Sequence, residues 1–162
     1  MPVFEAEAAV GALRLQYDRS AARGVPAHIT ILFPFLDDEE LDEAALAAAF
    51  APHRAFDFEL ARVERFGDDV TYLAPEPDAP FRALTETVRL RWPSHPPYGG
   101  EHPDPIPHLT IAETKVEVPS VEAALPIAAR AREVLLLVET EPDGAWAVLR
   151  RYPLGGYPVN VA

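Results

Sequence analysis

One short phrase occurs twice in this chain, as Pro26-Ala27-His28-Ile29-Thr30-Ile31 and as Pro107-His108-Leu109-Thr110-Ile111. Each copy reads His, apolar, Thr, apolar. In extended backbone successive side chains point to opposite faces, so the imidazole and the hydroxyl two residues on share one face while the aliphatics share the other. Ile29, Ile31 and Leu32 in the first copy, and Leu109 and Ile111 in the second, are expected to anchor their strands in a core. The polar pairs are then held rigidly on the opposite side.

The two phrases sit in similar surroundings. Glu5 to Asp18 carries Val10, Leu13 and Tyr17 at helical spacing and reads as an amphipathic helix; Ser20 to Val25 reads as a loop, and the first motif strand as Ala27 to Phe33, closed by Pro34. Asp37 to Glu40 opens a second helix running from Glu40 to Phe50, because carboxylates suit the positive end of a helix dipole. Phe56 to Leu60 alternates as a half-buried strand continuing toward Phe66, and Gly67-Asp68-Asp69 turns it into a partner, Val70 to Ala74. Phe81, Leu84, Val88 and Trp92 then trace a third helix. After a proline-rich loop, Pro93 to Pro107, the second motif strand runs from Ile106 to Ala112. A helix near Val121 to Arg132 is predicted next, then an apolar strand Glu133 to Glu141, an Asp143-Gly144 turn and a partner strand Ala145 to Tyr152. The order is thus helix, motif strand, helix, strand, glycine turn, strand, twice over, with pseudo-repeats at about residues 5–75 and 80–152 of a single domain. Such a duplication is expected to set the two motif strands face to face across a pseudo-twofold axis.

Composition narrows the chemistry. The chain has 162 residues, enough for one domain with a real core, and 49% of them are hydrophobic. It contains no cysteine, which excludes disulfides, thiolate catalysis and Cys-ligated metal; the work must fall to His, carboxylate, hydroxyl, Lys or Arg. The formal charge of −12 disfavours non-specific binding to a phosphate backbone, which depends on Lys and Arg. No long apolar run and no basic-then-apolar N-terminus is present, so the expected location is the cytoplasm, and the Pro, Ala, Arg, Glu and Asp content suggests a GC-rich coding genome. A metal site at the two histidines is disfavoured, since neither motif has a His-x-His or His-x-x-x-His pattern.

A pair of imidazoles suits in-line chemistry at phosphorus, where a base activates the attacking water and an acid protonates the leaving oxygen from the opposite side. The ordinary imidazole pKa lets one ring be neutral and the other protonated near neutral pH. Thr hydroxyls can hydrogen-bond the non-bridging oxygens as charge develops.

With its two motifs in matching settings, the chain resembles the 2H phosphoesterase superfamily, specifically the bacterial 2′-5′ RNA ligase-like and cyclic phosphodiesterase branch, over roughly Glu5 to Tyr152. The resemblance implies an α+β, bilobal, duplicated fold in which two antiparallel sheets flank a central cleft, with helices on the outer faces. It implies metal-independent phosphodiester chemistry without a cofactor, on 2′,3′-cyclic phosphates or 2′-5′ linkages of RNA ends or nucleotides, with reversible ligation as a second capacity. By the same resemblance His28 and His108 are general base and acid and Thr30 and Thr110 hold the phosphate. A non-catalytic nucleotide or RNA-end binding module using the same cleft is the alternative. The family's usual first strand has only Met1 to Phe4 available here, so one sheet edge is expected to be short, or rebuilt by the tail near Val159 to Val161.

Further substrate-contacting candidates are Tyr98 as a base-stacking group, His102 in the loop before the second motif, and Arg150 and Tyr152, with Arg151, on the last strand, where they could supply positive charge. Phe33 and Phe35 are expected in the core. His53 and His95 read as surface or loop residues. No protein partner is evident, and a monomer is favoured.

Overall fold

The computed structural model describes residues 1–36, 41–102 and 104–155. Helices α1 (Glu7–Tyr17), α2 (Arg19–Ala22), α3 (Glu43–Phe50), α4 (Ala79–Arg91) and α5 (Pro119–Glu122) accompany strands β1 (Phe56–Phe66), β2 (Val70–Glu76), β3 (Leu109–Ala112), β4 (Ile127–Ala131), β5 (Glu133–Glu139) and β6 (Trp146–Pro153). The strands form two antiparallel sheets, one of order β3-β2-β1-β4 and one of order β5-β6.

The expected helices at the first and third positions form where periodicity places them. The second begins later than anticipated: the Asp42 carboxylate accepts from the Ala45 N–H at 2.9 Å and so caps α3. Asp37 to Glu40 lie outside the described residues. The segment after the first helix, expected as loop, contains the single turn α2, whose start is capped by Asp18 through the Ser20 N–H at 2.9 Å.

The expectation for the segment after the second motif also fails. The helix predicted near Val121 to Arg132 is reduced to the four residues of α5, and Ile127–Ala131 is strand β4, paired with Phe56 to Leu60 of β1. Pro126 supplies no N–H to continue the helix, and Ala129 and Ala131 alternate inward while Ala128 and Arg130 face solvent. Alanine-rich sequence favours helix locally, but the open edge of β1 offers a ladder and a buried face that a helix would forgo.

Topology crosses the two halves. The second motif strand, β3, pairs with β2 from the first half. The first motif, expected as a strand from Ala27 to Phe33, forms only an isolated bridge with Met1–Val3: Val3 N–H donates to the Ala27 carbonyl at 2.8 Å and Ile29 N–H to the Met1 carbonyl at 2.9 Å, with Pro2 opposite His28, and the pairing runs no further. The turn just before it meets the second-half hairpin, where the Trp146 backbone N–H donates to the Arg23 carbonyl at 2.8 Å. The short edge expected from the sequence is therefore what Met1–Val3 provides; Val159 to Val161 lie outside the described residues.

A single core joins these parts. Val3, Val10, Ala27, Ile29, Leu60, Leu73, Leu84, Leu109, Ile111 and Val121 are fully buried in it. Phe81 of α4 packs edge-on against Phe56 and Phe58 of β1, with ring centres 5.0 and 4.9 Å away, while α1 packs against β3. On the smaller sheet, α3 meets β6 through Phe50 and Tyr152, 5.7 Å apart. Among the described residues no helix is long and apolar enough to cross a membrane.

Candidate active site

Helix α1 braces both motifs. Its C-terminal Tyr17 carbonyl accepts the N–H of Glu113, just past the second motif, at 2.8 Å. Toward the first motif, the Glu7 carboxylate accepts the Ala27 N–H at 2.6 Å, and the Arg14 guanidinium donates to the Val25 carbonyl at 3.3 Å. Arg14 is 2% exposed and its partner Asp18 is 4% exposed, and the two make a two-pronged ion pair at 3.0 and 2.8 Å. A buried charge pair is tolerated only when both members are paired and hydrogen-bonded. Arg14 meets that condition by also donating to the Ser20 hydroxyl at 3.2 Å. It lies four residues after Val10 on the apolar stripe of α1, and a charged pair at that spacing on a buried face is the signal by which it could have been singled out in the sequence.

The two histidines are built alike. His28 Nδ1 lies 2.8 Å from the carbonyl of Pro26, and His108 Nδ1 lies 2.8 Å from the carbonyl of Ile106, each two residues upstream. A carbonyl can only accept, so Nδ1 carries the hydrogen in both rings and Nε2 is the atom left for chemistry. Residues flanking each His are buried while His and Thr are half-buried, as the alternation expected of both motifs requires.

Both imidazoles are held below their ordinary pKa. Burial is the main cause at each, lowering His28 to about 4 and His108 in the same direction, with the hydrogen bond to the upstream carbonyl opposing it. At both rings burial favours the neutral form of the imidazole. A stability consequence follows for His28. Its folded pKa lies below its unfolded value, so the unfolded chain binds more protons between about pH 6.5 and 4, and stability falls as pH falls through that window. His28→Gln is expected to flatten the acid limb of a denaturation-versus-pH curve by on the order of 1–3 kcal/mol between about pH 7 and 4; an unchanged limb would contradict the depressed value.

Around His108 the site contains groups that sequence reading did not single out. Phe66 meets the imidazole edge-on at 5.0 Å and 89°, and Tyr72 at 5.4 Å and 61°, while Phe66 and Tyr72 stack at 4.2 Å. The Tyr72 hydroxyl donates to Glu64 at 2.8 Å, and burial together with that carboxylate raises the phenol to about 12. Glu64, Tyr72 and Thr110 are opposed across three adjacent strands, so they share the sheet face on which the motif projects. A bulge makes this possible: Ala61 is the extra residue between Leu60, opposite Pro75, and Arg62, opposite Ala74. Without it Phe66 would lie on the core face with Phe56 and Phe58.

The loop between α4 and β3 reaches the first motif. Tyr98 N–H donates to the Phe33 carbonyl at 2.7 Å, and its hydroxyl, raised in pKa by burial, interacts with the Thr30 hydroxyl. Tyr98 adopts a left-handed backbone (φ 51°). His102 is exposed and sits edge-on to Tyr98 at 5.6 Å. Arg150 is turned to Glu43 of α3 at 2.7 Å, Arg151 to Glu133 at 2.6 Å. The Tyr152 ring packs on Phe50, and its buried hydroxyl finds no hydrogen-bond partner among the described residues. His53 bonds the Thr87 hydroxyl at 2.8 Å. Phe35 packs against Trp92 at 5.5 Å and joins the core, as expected. Phe33 does not: it is 51% exposed, and its ring meets Trp146 edge-on at 6.3 Å.

The family model of the 2′-5′ RNA ligase superfamily matches residues 2–147. The chain belongs to that superfamily, the 2H phosphoesterases. Solved structures similar to it include Escherichia coli LigT complexed with 3′-AMP, with a TM-score of 0.67 at 17% identity over 96% of this chain and 95% of that one. A protein of Thermus thermophilus, TT0787, superposes with a TM-score of 0.65 at 21% identity, covering 95% of this chain and 96% of that one. LigT complexed with NADP+ gives 0.64 at 17% identity over 94% and 92%. At these identities the likeness is one of fold, and it bears out the two-sheet α+β architecture expected from the sequence. No curated protein matches the chain.

Proposed function

We propose that this 2H-superfamily member is a metal-independent phosphodiesterase that opens 2′,3′-cyclic phosphates on nucleotides or RNA ends by two-histidine acid and base catalysis. The observation that carries the reading is the matched pair of imidazoles, each with Nδ1–H committed to the carbonyl two residues upstream. In the reaction a neutral Nε2 takes a proton from water as the water oxygen bonds to phosphorus. The other ring, protonated at Nε2, donates to the ribose oxygen as the phosphorus–oxygen bond breaks. The products are a phosphomonoester and a free hydroxyl, and the two rings exchange protonation states.

The low pKa of both rings fits a site that acquires its catalytic proton with its substrate. An anionic phosphate next to an imidazole favours the imidazolium and raises a pKa that burial has lowered. Thr30 and Thr110 offer hydroxyls to the non-bridging oxygens. Arg150, paired with Glu43, is not needed for this charge balance. That LigT has been crystallised with 3′-AMP and with NADP+ supports a nucleotide as the ligand of this fold.

The test is hydrolysis of a set of nucleoside 2′,3′-cyclic phosphates, and of a short RNA ending in one, with EDTA present. Turnover that is insensitive to the chelator and yields one product isomer is expected. Absence of turnover on all of them, with tight binding of the corresponding monophosphates, would replace the enzyme with a nucleotide-binding module.

A further inference from the structure

We propose that Phe66 and Tyr72 are positioning residues for His108: their stacked rings fix the plane of its imidazole and so aim Nε2 at the reacting phosphate. This rests on the function proposed above and adds to it two groups that take no part in the proton transfer themselves.

A hydrogen bond at Nδ1 holds one atom of the ring and leaves the plane free to swing about that bond, carrying Nε2 with it. The outer torsion of a His side chain is intrinsically broad, so something else must set it. At His108 the hydrogen bond is also anchored in a loop: its acceptor is the carbonyl of Ile106, which is 46% exposed and precedes the first residue of β3, Leu109. The aromatic pair supplies the missing constraint from the sheet. Phe66 ends β1 and Tyr72 lies within β2. Their rings stack at 4.2 Å and 28°, and they meet the imidazole at 89° and 61° respectively. A ring held at steep angles against two others cannot swing without giving up both contacts.

The pair is itself fixed. Tyr72 is 2% exposed, lies opposite Glu64 of β1 and Thr110 of β3, and donates its hydroxyl to the Glu64 carboxylate at 2.8 Å. The Arg62 guanidinium pairs with the same carboxylate, and the two donors hold it below the usual carboxylate range, so it stays ionised as an acceptor. Since Tyr72 is directly across from Thr110, the imidazole and the hydroxyl of the second motif share one support.

The first motif is held by other means. His28 lies opposite Pro2 in the bridge with Met1–Val3, and α1 braces the backbone leading into it through Glu7 and Arg14. Variants that loosen His108 therefore leave the supports of His28 in place.

The test combines kinetics on a nucleoside 2′,3′-cyclic phosphate with nitrogen-15 spectra of the imidazoles, in which His108 is assigned from His108→Gln. Phe66→Leu and Tyr72→Leu keep apolar bulk and remove a ring. Each should lower kcat by at least about tenfold with KM changed by no more than about twofold, because misplacing a reacting group by about 1 Å costs up to about a hundredfold. Tyr72→Phe keeps the ring, gives up only its tether to Glu64, and should retain most of the activity. In both Leu variants the limb of the kcat/KM profile that belongs to His108 should move to higher pH, since burial is what lowers that imidazole and the missing ring admits water. The His108 titration in the spectra should shift the same way, and its Nδ1–H tautomer, dominant in the unaltered protein, should average with the other.

Unchanged kcat, pH profile and His108 signals in both Leu variants overturn the positioning role. A fall in kcat with the pH limb and the tautomer unmoved overturns it too, because that is the mark of a merely structural contribution. If the unaltered protein turns over no cyclic phosphate, the phosphodiesterase reading falls and the spectra alone decide how His108 is held: a shifted titration and tautomer in the Leu variants uphold the aromatic pair, and unchanged signals overturn it.

Discussion

Replacing either His28 or His108 with Ala should lower turnover of a nucleoside 2′,3′-cyclic phosphate by about 10²–10⁴-fold, the ordinary contribution of a positioned proton-transfer group. The loss should fall mainly on kcat, because the proton moves in the transition state and binding of the ground-state ester depends less on either ring. The double variant should cost little more than the worse single one, since a base without its acid partner completes only half of the exchange. His→Gln at either position separates proton transfer from hydrogen bonding. Its amide can occupy the space and bond the upstream carbonyl, yet it cannot shuttle a proton, so it should be as inactive as Ala. Steady-state kinetics with thermal unfolding as a fold control decides the matter, and activity close to the unaltered protein in both single variants would sink the mechanism.

The largest effect on stability is expected at a residue far less conspicuous in the sequence. Arg14→Ala strands the Asp18 carboxylate in a site where both side chains are almost fully buried, and breaking a buried pair from one side typically costs about 3–5 kcal/mol, about 10 °C in Tm for a chain of this size. The Val25 carbonyl loses its donor at the same time, so the backbone entering the first motif loosens and activity should fall with stability. Replacing both partners, as Arg14→Met with Asp18→Leu, removes the stranded charge and should recover most of the stability. Differential scanning calorimetry on the three proteins tests this. If the double replacement is no more stable than Arg14→Ala, the cost lies in lost packing and not in an uncompensated charge.

Much of the architecture was legible because it is periodic. Helices α1 and α4, the β1–β2 and β5–β6 hairpins, and the inward aliphatics of both motifs follow from spacings of three to four or of two residues, which survive in any context that buries one face. Strand β4 was not legible. Its residues carry a helical composition, and what decides their conformation is the unpaired edge of β1, from which β2, α4 and β3 separate them along the chain. Propensity is a local quantity and ladder pairing is not.

The site divides along the same line. His28, Thr30, His108 and Thr110 could be singled out because their chemistry is written in the residue types and in their repetition. The surroundings that tune them could not. Ala61 as an extra residue turns Phe66 from the core face to the side of His108, and a single-residue slip of this kind reverses every later side chain without any mark in the composition. Phe33 reads as core in sequence, but in the folded chain its ring is half in solvent with Trp146 of β6 beside it. Residue types and their spacing were enough to single out two candidate pairs of His and Thr and to place the aliphatics beside them in a core. What each motif pairs with, which aromatic rings meet His108 and the direction in which burial shifts both imidazoles came from the folded chain alone. Each of these depends on contacts between segments whose separation along the chain is not encoded in any local pattern.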